Sequence, residues 1–208
     1  MSVAVVPRLV RMTSAPAPGA AATTHDRVVA AAVRLTAELG WSQVTMARLA
    51  EDVGVSRQTV YNEVGTKPGL AEAMIQRELA RFLDVVTLAF DDHADDLVAA
   101  IRQSALSVLE HAQDNQLLHA VVSATHGADT ELLPLLTTHA ESLLTAAKLV
   151  IAERVAPYPL DLGPAHLDAA IDMVVRVVLS HVMQPSASPT ETADDIAWIA
   201  ARVLRPQV

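Results

Sequence analysis

Cysteine is absent from this 208-residue chain. That absence removes disulfides, thiol nucleophiles and thiolate metal sites, and it fits a reducing compartment, so a cytoplasmic location is expected. Aromatic side chains make up only 3% of residues, and beyond Leu70 they are Phe82, Phe90, Tyr158 and Trp198. Any ligand cavity in that part must therefore be walled mainly by Leu, Val, Ile, Met and Ala. No uncharged apolar run reaches the roughly 18 residues needed to cross a bilayer, so no membrane partner is expected. At the N-terminus the short apolar run precedes Arg8 and Arg11, the reverse of a secretory signal, and Pro-, Ala-, Gly- and Ser-rich sequence follows. Residues 1–23 read as a flexible arm.

Metal-binding patterns are missing as well. Seven of the eight histidines lie beyond Leu70, no two of them three or four positions apart, and no H-E-x-x-H occurs. His93, inside "DDHADD", reads as part of a solvated loop. Neither a metal nor a cofactor is expected. Sustained period-two alternation and internal repeats are also lacking, which excludes a sheet and a solenoid.

What is present is a helical pattern in a chain that is 51% apolar. Thr23 and Asp26 form a capping-box start for a first helix of about four turns. Its apolar positions are Val28, Ala32, Leu35 and Leu39, and Gly40 is its stop. Thr45 caps a second helix with Met46, Leu49, Ala50 and Val53 turned inward, ending at Gly54. Ser56 caps a third that has only Val60 and Val64 to offer a core. Thr66 caps a fourth with Pro68 in its first turn, where a missing N–H costs nothing. Further helices are expected over 70–90, 96–113, 116–125, 130–155, 164–184 and 190–204.

A two-turn helix that spends Arg57, Gln58, Thr59, Tyr61 and Asn62 on its surface needs a reason. A helix-turn-helix supplies one, because its second helix lies in the DNA major groove and turns polar side chains outward. Charge agrees with this. The net charge of −9 is unevenly spread: residues 1–69 carry seven Lys or Arg against five Asp or Glu, and the remainder eight against nineteen. The acidity belongs to the second part, and a DNA-facing first part survives it.

The stretch "TMARLAEDVGVSRQTVYNEVGTKPGL", with Gly40-Trp41 before it, resembles the DNA-binding module of the TetR family of transcriptional regulators over residues 24–72. The resemblance implies that Thr45, Ser56, Tyr61 and Lys67 contact phosphates, as hydroxyls and an ammonium at helix starts are suited to do. Arg57 and Gln58 are the candidates for base readout, because Arg pairs bidentately with guanine and Gln with adenine. Thr59 and Asn62 come next, and Arg48 is a candidate backbone contact. Val64 stands where many members carry Phe, and Asn62-Glu63 where His or Tyr is frequent, so no base preference is carried over. Trp41 is expected in the core under helix one.

The expected architecture is thus all-α: a helix-turn-helix DNA-binding domain over 24–69, then a helical effector-binding and dimerisation bundle over 70–208. Phe82, Val86, Phe90, His119, His139, Leu143 and Val175 are the candidates to line a pocket for a small apolar effector. The family implies that the last two long helices pair with those of a second copy. "HLDAAIDMVVRVVLSHVMQ" and "TADDIAWIAARVL" are apolar over more than one face, as such burial requires. A two-fold homodimer sets two recognition helices roughly 34–36 Å apart and calls for a palindromic double-stranded DNA operator. The expected protein is a ligand-responsive repressor rather than an enzyme. The competing readings are a carboxylate- and histidine-based metal hydrolase on a helical bundle and a regulator without an effector.

Overall fold

The structure is a computed structural model and describes residues 22–119 and 133–204, with the backbone alone over 133–142. Every regular element among the described residues is helical. The elements are α1 (Thr24–Leu39), a 3-10 turn (Trp41–Gln43), α2 (Met46–Val53), α3 (Arg57–Val64), α4 (Lys67–Asp92), α5 (Leu97–Gln113), a helical stretch over 116–119, α6 (Leu133–Val155), α7 (Pro164–Met183) and α8 (Pro189–Val203). The expected N-terminal arm with Arg8 and Arg11 lies outside the described residues, as do the side chain of His139 and most of the helix expected over 116–125.

Local chemistry sets the helix ends. At α1 the Asp26 N–H donates to Thr23 Oγ1 at 3.1 Å and the Thr23 N–H donates to Asp26 Oδ2 at 3.1 Å, closing the capping box. Hydrogen bonds from Thr23 hold the Asp26 carboxyl below its ordinary range. Ser188 and Glu191 repeat the device at α8, where the sequence carries the S-x-x-E pattern of a capping box. Between α2 and α3, Gly54 sits at φ 74°, ψ 40°. The Val55 N–H reaches back to Ala50 O at 2.9 Å and the Gly54 N–H to Glu51 O at 3.3 Å, a Schellman closure. Nothing would touch a Cβ at Gly54, so Gly54→Ala is expected to cost only the left-handed strain, ~1–2 kcal/mol. A thermal melt should show it as a drop of a few degrees.

Two cores stack along the chain. The first joins α1, the 3-10 turn, α2 and α3 to the first turns of α4, with Val28, Ala32, Leu49 and Val60 fully buried and Leu70, Ala71 and Met74 supplied by α4. Trp41 is buried at 4% exposure, as expected. Leu39 is not buried: it is 45% exposed, and Trp41, just past the Gly40 turn, closes the core at that end of α1 instead. Farther along α4, Val86 and Phe90 pack with Leu97, Ala100 and Val155, while Ala105 of α5 meets Ala193 and Ile196 of α8. Because α4 enters both cores, a displacement of the bundle can reach α3.

Candidate nucleic-acid interface and effector site

α3 is seated by contacts from outside the helix-turn-helix. Arg27 Nη2 donates to Val53 O at 2.6 Å at the end of α2, and His25 Nδ1 lies 3.0 Å from Glu63 O near the end of α3. Arg77 of α4 donates to Asp26 O at 2.9 Å. Val53 O and Glu63 O are carbonyls left over in the last turns of α2 and α3, whereas Asp26 O lies in the first turn of α1; together the three contacts tie α1, α2, α3 and α4 into one unit.

With its apolar side anchored by Val60 and Val64, α3 turns the rest outward. Arg57, Gln58, Tyr61 and Asn62 are exposed, Tyr61 at 44%, while Thr59 is half-buried. Gln58 Nε2 donates to Asn62 Oδ1 at 3.0 Å, which holds the two amides side by side one turn apart. Ser56 Oγ accepts the Thr59 N–H at 3.0 Å and lies 2.8 Å from Thr59 Oγ1. Thr45 Oγ1 accepts the Arg48 N–H at 3.2 Å, and Arg48 Nη1 donates to Gln43 O at 3.3 Å. The half-buried Lys67 carries its ammonium 4.9 Å over the Trp41 ring. Thr45, Ser56 and Lys67 therefore stand at the starts of α2, α3 and α4, where helix dipoles favour an anion.

The expected effector residues are spread over several surroundings. Val86 and Phe90 are packed together in the core around Val155. Phe82 lies edge-on to His111, ring centres 4.7 Å apart. Val175 is buried on α7, and Leu143 is half-buried. His119 is exposed and donates from Nε2 to Gln113 O at 2.8 Å; it lines a cleft of about 190 Å³ together with His181.

Three polar features were not foreseen. Glu78, on α4, is 8% exposed; it accepts from Asn115 Nδ2 at 2.7 Å and from Arg81 Nη1 at 3.0 Å. Asn115 in turn caps the 116–119 stretch, accepting the Leu118 N–H at 2.9 Å. Lys148 on α6 bridges Asp168 at 3.1 Å and Asp172 at 3.3 Å on α7, and Asp172 also pairs with Arg176 one turn on at 2.7 Å. The hydrogen bond from Arg176 holds the Asp172 carboxyl below its ordinary range, and that to Asp168 raises Lys148. Tyr158 donates to His93 O at 2.9 Å; burial, with nearby Asp95, Asp96 and Asp91, pushes its phenol up. Among the described residues no three His, Cys, Asp or Glu side chains are grouped to hold a metal, and no helix is long and apolar enough to cross a membrane.

A capped, polar, outward-facing α3 behind a Schellman turn, followed by a helical bundle, defines a helix-turn-helix transcriptional regulator. The family described as "Bacterial regulatory proteins, tetR family" matches residues 28–74, and "Bacterial Tetracyclin repressor, C-terminal domain" matches residues 96–202. The chain belongs to the TetR family of ligand-responsive transcriptional repressors, and a metal-dependent hydrolase is not favoured. It is 28% identical over 185 residues to the HTH-type transcriptional regulator AlkX of Mycobacterium tuberculosis, covering 89% of this chain and 85% of that one. The structure of the TetR family repressor AlkX from Dietzia sp. strain DQ12-45-1b, implicated in biodegradation of n-alkanes, superposes with a TM-score of 0.69 at 25% identity, covering 86% of this chain and 96% of that chain. A complex of SmeT with triclosan shares the fold, with a TM-score of 0.57, 18% identity and coverage of 88% and 95%.

Proposed function

We propose that this protein represses transcription as a homodimer on a palindromic operator and leaves it when a small apolar effector binds the bundle. On this reading residues 1–23 are an arm, 24–69 the DNA-binding domain and 70–208 the effector-binding and dimerisation domain. The observation that carries it is the exposure of Arg57 and Gln58 on a helix anchored from behind by buried Val60 and Val64. Arg57 and Gln58 read bases, with Thr59 and Asn62 beside them. Thr45, Arg48, Ser56, Tyr61 and Lys67 hold phosphates. An effector of aliphatic character is supported by the aromatic-poor bundle and by the Dietzia relative, which is implicated in n-alkane biodegradation. The effector must bind one state of α4 better than the other, and a coupling of ~1–3 kcal/mol is typical.

Selection of bound fragments from genomic DNA tests the reading. A two-fold-symmetric site should be enriched, and Arg57→Ala or Gln58→Ala should weaken it by ~1–3 kcal/mol while relaxing preference at one position per half-site. Lys67→Ala should weaken all sequences alike and flatten the salt dependence. Enrichment of no sequence, or indifference to both base-reading substitutions, would overturn it.

A further inference from the structure

We propose that the cleft between the end of α5, the end of α7 and the start of α8 is a binding site for a compact neutral alcohol or phenol, separate from the packed surroundings of Val86 and Phe90. Its walls are Leu109 and Ala112 of α5, Leu118, and Val182 and Met183 of α7, and the exposed Ala187 stands at its mouth. At about 190 Å³ it exceeds the roughly 150 Å³ engineered cavity that admits benzene, so one six-membered ring with a substituent fits.

Its polar lining is His119, His181, Gln113 and Thr192, and the two histidines differ in what they leave open. Gln113 O, a carbonyl, can only accept, so the 2.8 Å contact places the proton of neutral His119 on Nε2 and leaves Nδ1 as a lone pair. His181 is already engaged, donating from Nδ1 to Val177 O at 2.9 Å and accepting from Ser186 Oγ at 3.0 Å on Nε2. His119 Nδ1 therefore offers an acceptor to a ligand O–H. A hydrocarbon makes no use of that acceptor, and a carboxylate meets its lone pair with a charge.

The cleft is also wired to α4. Leu118 and His119 belong to the stretch capped by Asn115, Asn115 is bonded to buried Glu78 of α4, and neighbouring Leu117 is buried in the first core with α1 to α3. A ligand pressing on Leu118 and His119 therefore acts on the seat of the helix that carries α3, and this regulatory consequence rests on the repressor reading above.

Phenol, toluene and benzoate, titrated at pH 8 into the full-length protein and followed through the Met183 methyl and His119 ring signals, separate the possibilities. Phenol should saturate both signals about fivefold more tightly than toluene, the factor one hydrogen bond supplies, and benzoate should not saturate them. Ala187→Trp, a surface-loop change, should weaken phenol at least tenfold. His119→Phe should bring phenol down to the level of toluene and leave toluene unchanged. Absence of phenol saturation, indifference to Ala187→Trp, or equal loss of phenol and toluene in His119→Phe would each overturn the site. With the selected operator fragment, phenol should lower DNA affinity in the wild type and not in Ala187→Trp. Phenol binding with unaltered DNA affinity would overturn the coupling, whereas failure to bind DNA even without phenol would overturn the repressor reading and leave the cleft standing.

Discussion

Ile199→Asp is expected to run as a monomer in sedimentation and to lose at least a hundredfold in operator affinity, while its thermal melt stays close to that of the wild-type chain under conditions where both are monomeric. Ile199 is 52% exposed on α8 beside Trp198 at 57% and Val203 at 45%, and α7 adds Met173 at 63% and Leu179 at 46%. On the proposed homodimer reading, these large exposed apolar side chains of α7 and α8 form the seam between the two copies. Arg202 stacks its guanidinium 3.8 Å from the Trp198 ring centre and donates to Trp198 O at 3.3 Å. In a two-fold interface each substitution enters twice, so two carboxylates would have to be desolvated in an apolar seam. A monomer keeps one recognition helix and loses the second half-site, which is why DNA affinity falls with association. A variant that remains dimeric would remove α8 from the interface.

The parts of this molecule that were legible from sequence are those written within three or four contiguous residues. Thr23-x-x-Asp26, Thr45, Ser56 and Gly54 each settle a helix end through bonds to their immediate neighbours, so their chemistry does not depend on the rest of the chain. The exposure of α3 was legible for a related reason: eight residues with two apolar positions can bury only one narrow side. What stayed hidden is carried by side chains that bridge distant segments. Arg27 meets Val53 O across 26 positions, His25 meets Glu63 O across 38, and Glu78 meets Asn115 across 37. In sequence each of these reads as an ordinary surface polar residue. The effector candidates suffer from the same cause, because an apolar helix position can face a packed core, as Val86 and Phe90 do, as readily as a cavity.

Asn115→Ala should destabilise the protein by ~2–4 kcal/mol, a large fraction of an ordinary domain's stability. The side chain does two jobs. Its Oδ1 caps the 116–119 stretch through the Leu118 N–H, worth ~0.5–2 kcal/mol. Its Nδ2 donates at 2.7 Å to the buried carboxylate of Glu78, and hydrogen bonds to charged groups contribute ~1.5–3 kcal/mol. Alanine leaves Glu78 with Arg81 alone, whose guanidinium is nearly half-exposed. Asn115→Ser separates the two terms: serine keeps an N-cap acceptor but is too short to reach Glu78, so its loss in urea denaturation should be smaller by about the cap term. The consequence extends beyond stability. If the amide fixes the start of 116–119 against α4, both variants should also change how strongly an effector shifts operator affinity, even under conditions where they are fully folded. Loss of stability with wild-type coupling would mean that Glu78 and Asn115 merely hold the fold, and that α4 is moved through its apolar contacts instead.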